Sequence, residues 1–124
     1  MTNINKTCEL MAKGMTVSKA LKEVYKTRKI QIPFNEDIYD VRVLNINLSN
    51  RTANALMRSR LTTLRDVINH VSKQGWNGIK NFGEAAAIET IEKMVDIAWE
   101  YLDTEERAEF LLRVDEANKP IGEI

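Results

Sequence analysis

Apolar positions recur at helical spacing over most of this chain, and almost nowhere do they alternate as a strand requires. Cys8 to Ala12 reads as a short first helix, ended by Gly14 in the usual terminating role. Thr16 is a good N-cap, and Val17, Ala20, Leu21 and Val24 then repeat at helical intervals up to about Lys26. This helix–turn–helix rhythm is either a small recognition module or a helical hairpin packed on its neighbour. Lys29-Ile30-Gln31-Ile32-Pro33-Phe34 alternates before a proline and is extended or loop. The polar, acidic run Asn35-Glu36-Asp37-Ile38-Tyr39-Asp40 is the expected seam between two parts of the protein.

Beyond that seam, Ser49 or Asn50 caps a helix reaching roughly Ser59, with Ala53, Leu56 and Met57 inward. Thr62 or Thr63 caps the next, which carries Leu64, Val67, Ile68 and Val71. Gln74-Gly75-Trp76-Asn77-Gly78 is rich in turn residues, with Trp76 expected to anchor a hairpin in the core. Gly83 supplies an open corner before a long helix with Ile88, Ile91, Val95, Ala98 and Leu102 on one face. Asp103-Thr104-Glu105-Glu106 is a capping-box start for a last helix with Ala108, Leu111, Leu112 and Val114 as its apolar positions, stopped by Pro120. The pattern predicts an all-α protein. It divides into an N-terminal helical extension (1–34), a helix–hairpin–helix domain (35–102) and an acidic C-terminal helix and tail (103–124).

Composition changes this picture little. A length of 124 residues suits one domain with a modest extension. No apolar run approaches membrane-spanning length, and Met1-Thr2-Asn3-Ile4-Asn5-Lys6 lacks the apolar centre of a secretory signal. A single cysteine, Cys8, and a single histidine, His70, offer no disulfide and no metal-ligand spacing. The expectation is a cytoplasmic protein with no cofactor, no metal and no membrane association.

Charge changes it more. The formal net charge of zero conceals a polarised sequence. Residues 41–82 carry Arg42, Arg51, Arg58, Arg60, Arg65, Lys73 and Lys80 against Asp66, whereas residues 83–124 carry twelve acidic side chains against Lys93, Arg107, Arg113 and Lys119. Residues 1–33 are basic again. Such asymmetry is the footprint of a nucleic-acid binder, set against the plainer reading of helix surfaces solvated by mixed charge. A glycine-bounded hairpin between helices adds to it, because it turns backbone N–H groups at a helix N-terminus outward, where phosphate is attracted.

Three blocks carry a family resemblance: Leu48-Ser49-Asn50-Arg51-Thr52-Ala53-Asn54-Ala55-Leu56, Leu61-Thr62-Thr63-Leu64-Arg65-Asp66-Val67 and Ile79-Lys80-Asn81-Phe82-Gly83. In this order and spacing they resemble the C-terminal domain of the bacterial RNA polymerase alpha subunit, here as a free-standing small protein. The resemblance implies a compact helical bundle of that SAM-like type. It also implies contact with double-stranded DNA, the arginine matched by Arg51 entering a narrow A·T-rich minor groove. Asn54 matches an asparagine bonding near the backbone, one helical turn along. Gly83 matches a glycine that lets the backbone approach a phosphate. Arg58, Lys80 and Asn81 complete the expected DNA-binding set. For each, the alternative is an ordinary surface or corner residue.

Departures from the family are specific. Glu84-Ala85-Ala86 stands where the family has Lys-Lys-Ser, which favours the helix dipole and repels a phosphate. Ile88 and Ile91 sit one residue later than an ungapped alignment requires, which leaves the family's glutamate unassigned to Glu89. No Ser, Cys or carboxylate pair accompanies His70 at a catalytic spacing, so an enzyme is not expected. Two readings result: a DNA-binding transcription protein without catalysis, or a protein-interaction module docking on RNA polymerase or a transcription regulator. Oligomeric state is left open.

Overall fold

Among the described residues, five of the six α-helices begin where a hydroxyl or carboxylate accepts from an N–H group of the first turn. Thr2, Thr16, Ser49, Thr63 and Asp103 each do so, and Thr63 with Asp66 and Asp103 with Glu106 form reciprocal capping boxes. The computed structural model describes residues 2–26 and 31–118. Over those residues it contains α1 (Asn3–Ala12), α2 (Val17–Tyr25), α3 (Asn50–Arg58), α4 (Leu64–Gln74), α5 (Glu84–Glu100) and α6 (Thr104–Ala117). Two 3₁₀ turns, Glu36–Ile38 and Val43–Asn45, and an isolated antiparallel bridge between Arg42 and Thr63 complete the regular structure. The fold is all-α. Residues 27–30 and the expected stop at Pro120 lie outside the described residues.

Two units are formed, Phe34–Ala98 and a terminal unit made of Met1–Pro33 with Trp99–Ile124. The central unit closes around Ile38, Val43, Ile46, Leu56, Leu61, Leu64, Val67, Ile79, Met94 and Ala98. Backbone bonds from Val43 N–H to the Thr62 carbonyl and from Leu64 N–H to the Val41 carbonyl, both 2.9 Å, pin the segment before α3 to the start of α4. The acidic run at 35–40 is more than a connector. Its 3₁₀ turn drives Ile38 to full burial while Glu36 and Asp37 face water. One isoleucine in a polar run gives no periodicity to read, yet its burial removes enough apolar surface to hold the turn.

The face of α5 differs from the one the isoleucines suggest. Ala87, Thr90, Met94, Val95 and Ala98 are buried, whereas Ile88 and Ile91 are half-buried at the flank. The inner stripe therefore starts one residue earlier, at an alanine, and Thr90 enters the core because its hydroxyl donates to the Ala86 carbonyl at 2.8 Å. Leu102 is buried beyond the end of α5. The left-handed corners of the hairpin fall on Gly75, Gly78 and Asn81, with φ of 65°, 84° and 60°, and Gly83 has no such backbone. Asparagine is the side chain that best tolerates this conformation. Trp76 is half-buried, stacked on Phe82 with centroids 5.5 Å apart, and both rings pack against the core cluster, anchoring the hairpin there. His70 Nε2 meets the Asn77 carbonyl at 2.7 Å, so it carries the proton, and Nδ1 accepts from the Gln74 amide at 3.3 Å.

In the terminal unit α1 starts at Asn3, ahead of the expected Cys8, because Thr2 caps it and the buried Thr7 hydroxyl bonds the Asn3 carbonyl at 2.8 Å. Gly14, at φ 105°, ends it as expected. The Tyr25 hydroxyl donates to Asp115 at 2.7 Å and joins α2 to α6, and burial beside that carboxylate pushes the phenol well above its ordinary range. Trp99 packs edge-on against Phe110 at 6.1 Å, with the Arg107 guanidinium 4.9 Å from its ring centre. Phe110, Leu111 and Val114 are the buried positions of α6, whereas Ala108 and Leu112 are exposed. The aromatic ring, anchored by Trp99, sets the rotation of the helix in place of Leu112.

Candidate nucleic-acid interface

α3 separates its two faces cleanly. Thr52, Ala53, Ala55 and Leu56 point into the central unit, and Arg51, Asn54 and Arg58 are exposed. Offsets of three and seven residues put those three on one stripe. The helix ends in a Schellman motif, with Arg60 N–H on the Met57 carbonyl and Leu61 N–H on the Leu56 carbonyl, both 3.0 Å. Arg60 takes the left-handed position, φ 63°, usually given to glycine.

The start of α3 is held by a residue from another helix. Glu89, in the second turn of α5, accepts from the Ser49 backbone N–H, from the Ser49 hydroxyl at 3.0 Å and from the buried Thr52 hydroxyl at 2.6 Å. Burial raises the carboxyl pKa of Glu89. The Ser49 N–H, the Thr52 and Ser49 hydroxyls and nearby Lys93 outweigh it, and the net shift is below the ordinary range. This link brings the first turn of α3, with Arg51 and Asn54, to the same end of the central unit as the first turns of α5. Arg58 lies farther along, about 10 Å at helical rise.

The hairpin reaches α5 through Ile79, buried, and Phe82, stacked on Trp76, so that Lys80, Asn81 and Gly83 are left exposed between and after them. Gly83 is the N-cap of α5, its carbonyl accepting from Ala87 N–H at 3.1 Å. It brings no side-chain acceptor to the first-turn N–H groups, and a Cβ added there would meet nothing within 4 Å. Exposed Glu84 follows directly and supplies the negative charge that this helix end attracts.

Glu89 is the residue that the sequence left unassigned. The register read from Ile88 and Ile91 gave no reason to set it against α3. With Ala87 on the inner stripe, Glu89 falls toward α3.

No group here asks for a metal. Among the described residues no cluster of three or more His, Cys, Asp or Glu side chains is placed to hold one, and every buried side-chain N or O has a partner. Cys8 is free and exposed. No helix among the described residues is long and apolar enough to cross a membrane.

The central unit is thus a small helix–hairpin–helix module in which one carboxylate ties the start of α3 to α5. Residues 31–96 match the family described as the C-terminal domain of the alpha subunit of bacterial RNA polymerase, and the protein belongs to that family. No curated protein and no solved structure matches it. Domains of this family are non-catalytic, and DNA binding or protein interaction is their typical role.

Proposed function

We propose that the protein binds double-stranded DNA, without catalysis, through the minor groove and phosphate backbone of A·T-rich sequence. Arg51 enters the groove, Asn54 bonds beside it, and Gly83 lets the α5 N-terminus approach a phosphate, with Arg58, Lys80 and Asn81 adding backbone contacts. The observation that carries this reading is the exposed stripe of Arg51, Asn54 and Arg58 on a helix whose first turn Glu89 holds in place. A fixed helix start holds the backbone that carries Arg51 in place, which reduces the entropy lost on binding.

A second reading, a module docking on RNA polymerase or a transcription regulator, is supported by two exposed features. Glu84 stands at the hairpin where a phosphate would approach, and Leu44 is 60 % exposed on the 3₁₀ turn before α3. An anisotropy titration with A·T-rich and G·C-rich duplexes at two salt concentrations separates the two. The DNA reading expects tighter binding to the A·T-rich duplex, weakening as salt rises. Absence of duplex binding at low salt overturns it in favour of the docking module.

A further inference from the structure

The terminal unit has a charged face that the α3 site does not use. Helix α2 turns Val17, Ala20 and Leu21 inward and leaves Lys19 and Lys22 exposed three residues apart on one stripe, with Lys26 exposed at its C-cap. Glu23 is the acidic side chain on that exposed side. Lys22 is engaged by another group, so the contact falls to Lys19 and Lys26. Lys6 of α1 is exposed, Lys13 makes a loose, solvent-exposed pair with Glu9 at 3.6 Å, and Asp115 of α6 keeps its charge while it accepts from the Tyr25 hydroxyl. A solvated surface ordinarily mixes signs. Here the positive charge gathers on α2, while α6 of the same unit exposes Glu105, Glu106 and Glu116, with Glu109 paired to exposed Arg113 at 2.6 Å.

Lys26 adds an independent observation. It caps α2 in the left-handed conformation, φ 51° and ψ 40°, where asparagine or glycine sits with less strain. A cation therefore stands at the end of α2, where the helix dipole favours it. The helices α1 and α2 are joined by the short turn Lys13-Gly14-Met15-Thr16, the kind of connection that presents a second helix to a duplex.

We propose that the outer face of α2, through Lys19 and Lys26, is a second DNA contact of this protein, made to the phosphate backbone. Lysine offers a point charge without the planar donor fork that reads base edges, which favours backbone contact over sequence readout. This inference rests on the reading of duplex DNA as the partner, but on a different helix and different residues.

The test is the full-length protein with Lys19→Gln and Lys26→Asn, titrated with one A·T-rich duplex across a salt series beside wild type, Lys73→Gln and Arg51→Ala. Glutamine keeps helix propensity and asparagine tolerates the left-handed cap, so the thermal transition should stay in place. The expected result is a log–log salt slope shallower by about one to two, since each phosphate no longer neutralised lowers it by about 0.9. Lys73→Gln should leave the slope unchanged, and arginine at both positions should restore it. An unchanged slope in the double variant, or an equal change in Lys73→Gln, overturns the inference. If Arg51→Ala weakens binding while the double variant does not, the α3 site stands and this one falls; the opposite pattern keeps this one and removes Arg51. Wild type that binds no duplex overturns both.

Discussion

The carboxylate of Glu89 on α5 receives both the backbone N–H and the hydroxyl of Ser49, the N-cap of α3, across forty positions of sequence. One side chain thereby serves two helices: it satisfies an orphan donor at the start of α3 and fixes where the exposed Arg51 begins its helix.

Removing that carboxylate should loosen the central unit. Glu89→Ala leaves the buried Thr52 hydroxyl and the Ser49 N–H without their partner, for an expected loss of about 1–3 kcal/mol in urea denaturation. Glu89→Gln, which keeps one acceptor oxygen, should lose less. Equal stability of Glu89→Ala and wild type would mean that water replaces the carboxylate at no loss.

Acid should act through the same bond and through Asp66. The Asp66 carboxyl is raised by burial but lowered further by the N–H groups and hydroxyls of Thr62 and Thr63, so its net shift, like that of Glu89, is downward. A depressed carboxyl stabilises the fold fully above its unfolded pKa, about 4 for these residue types, and that contribution disappears as pH falls through the lower folded value. Melting temperature should therefore decline below about pH 4. Asp66→Asn with Glu89→Gln should flatten that decline in thermal scans, and a profile as steep as wild type would point to other carboxylates.

Arg51→Ala should weaken binding to an A·T-rich duplex by about 1–3 kcal/mol, with helix content by circular dichroism unchanged because the side chain is exposed. Equal affinity of the two proteins for that duplex removes Arg51 from the site.

Gly83→Ala isolates the close backbone approach at the hairpin. The added methyl meets no atom of this protein, and Gly83 has no left-handed backbone, so the fold should persist with only the small loss, up to about 1 kcal/mol, of a poorer N-cap. A drop of severalfold in duplex affinity with a cooperative melt only slightly lowered is the expected pair of readings. Unaltered affinity would mean that no phosphate comes close to Gly83.

Replacing Glu84-Ala85-Ala86 by Lys-Lys-Ser should raise duplex affinity and steepen the salt slope by roughly one to two, since two lysines displace counterions. Positive charge at the α5 N-terminus opposes the helix dipole, so a stability loss of a few tenths of a kcal/mol, at the low end of the roughly 0.3–1 range, should accompany it. A folded variant with flat affinity and slope would turn the hairpin away from DNA and favour the docking reading.

What the sequence alone determined is what short-range chemistry controls. Thr16, Ser49, Thr63 and Asp103 announce their helices because a cap and its N–H partners lie within three residues. The alternation of exposed Arg51 and Asn54 with buried Thr52 and Ala53 follows from helical period alone. Tertiary packing decided the rest. Ile38 and Phe110 are buried and Leu112 exposed because neighbours far along the sequence provide or withhold contact. Packing around Met94 and Ala98 turned α5 so that small Ala87, and not Ile88, faces inward. That rotation carries Glu89 to Ser49. A hydrogen bond between residues forty apart has no local signature, since its geometry exists only once both helices are packed.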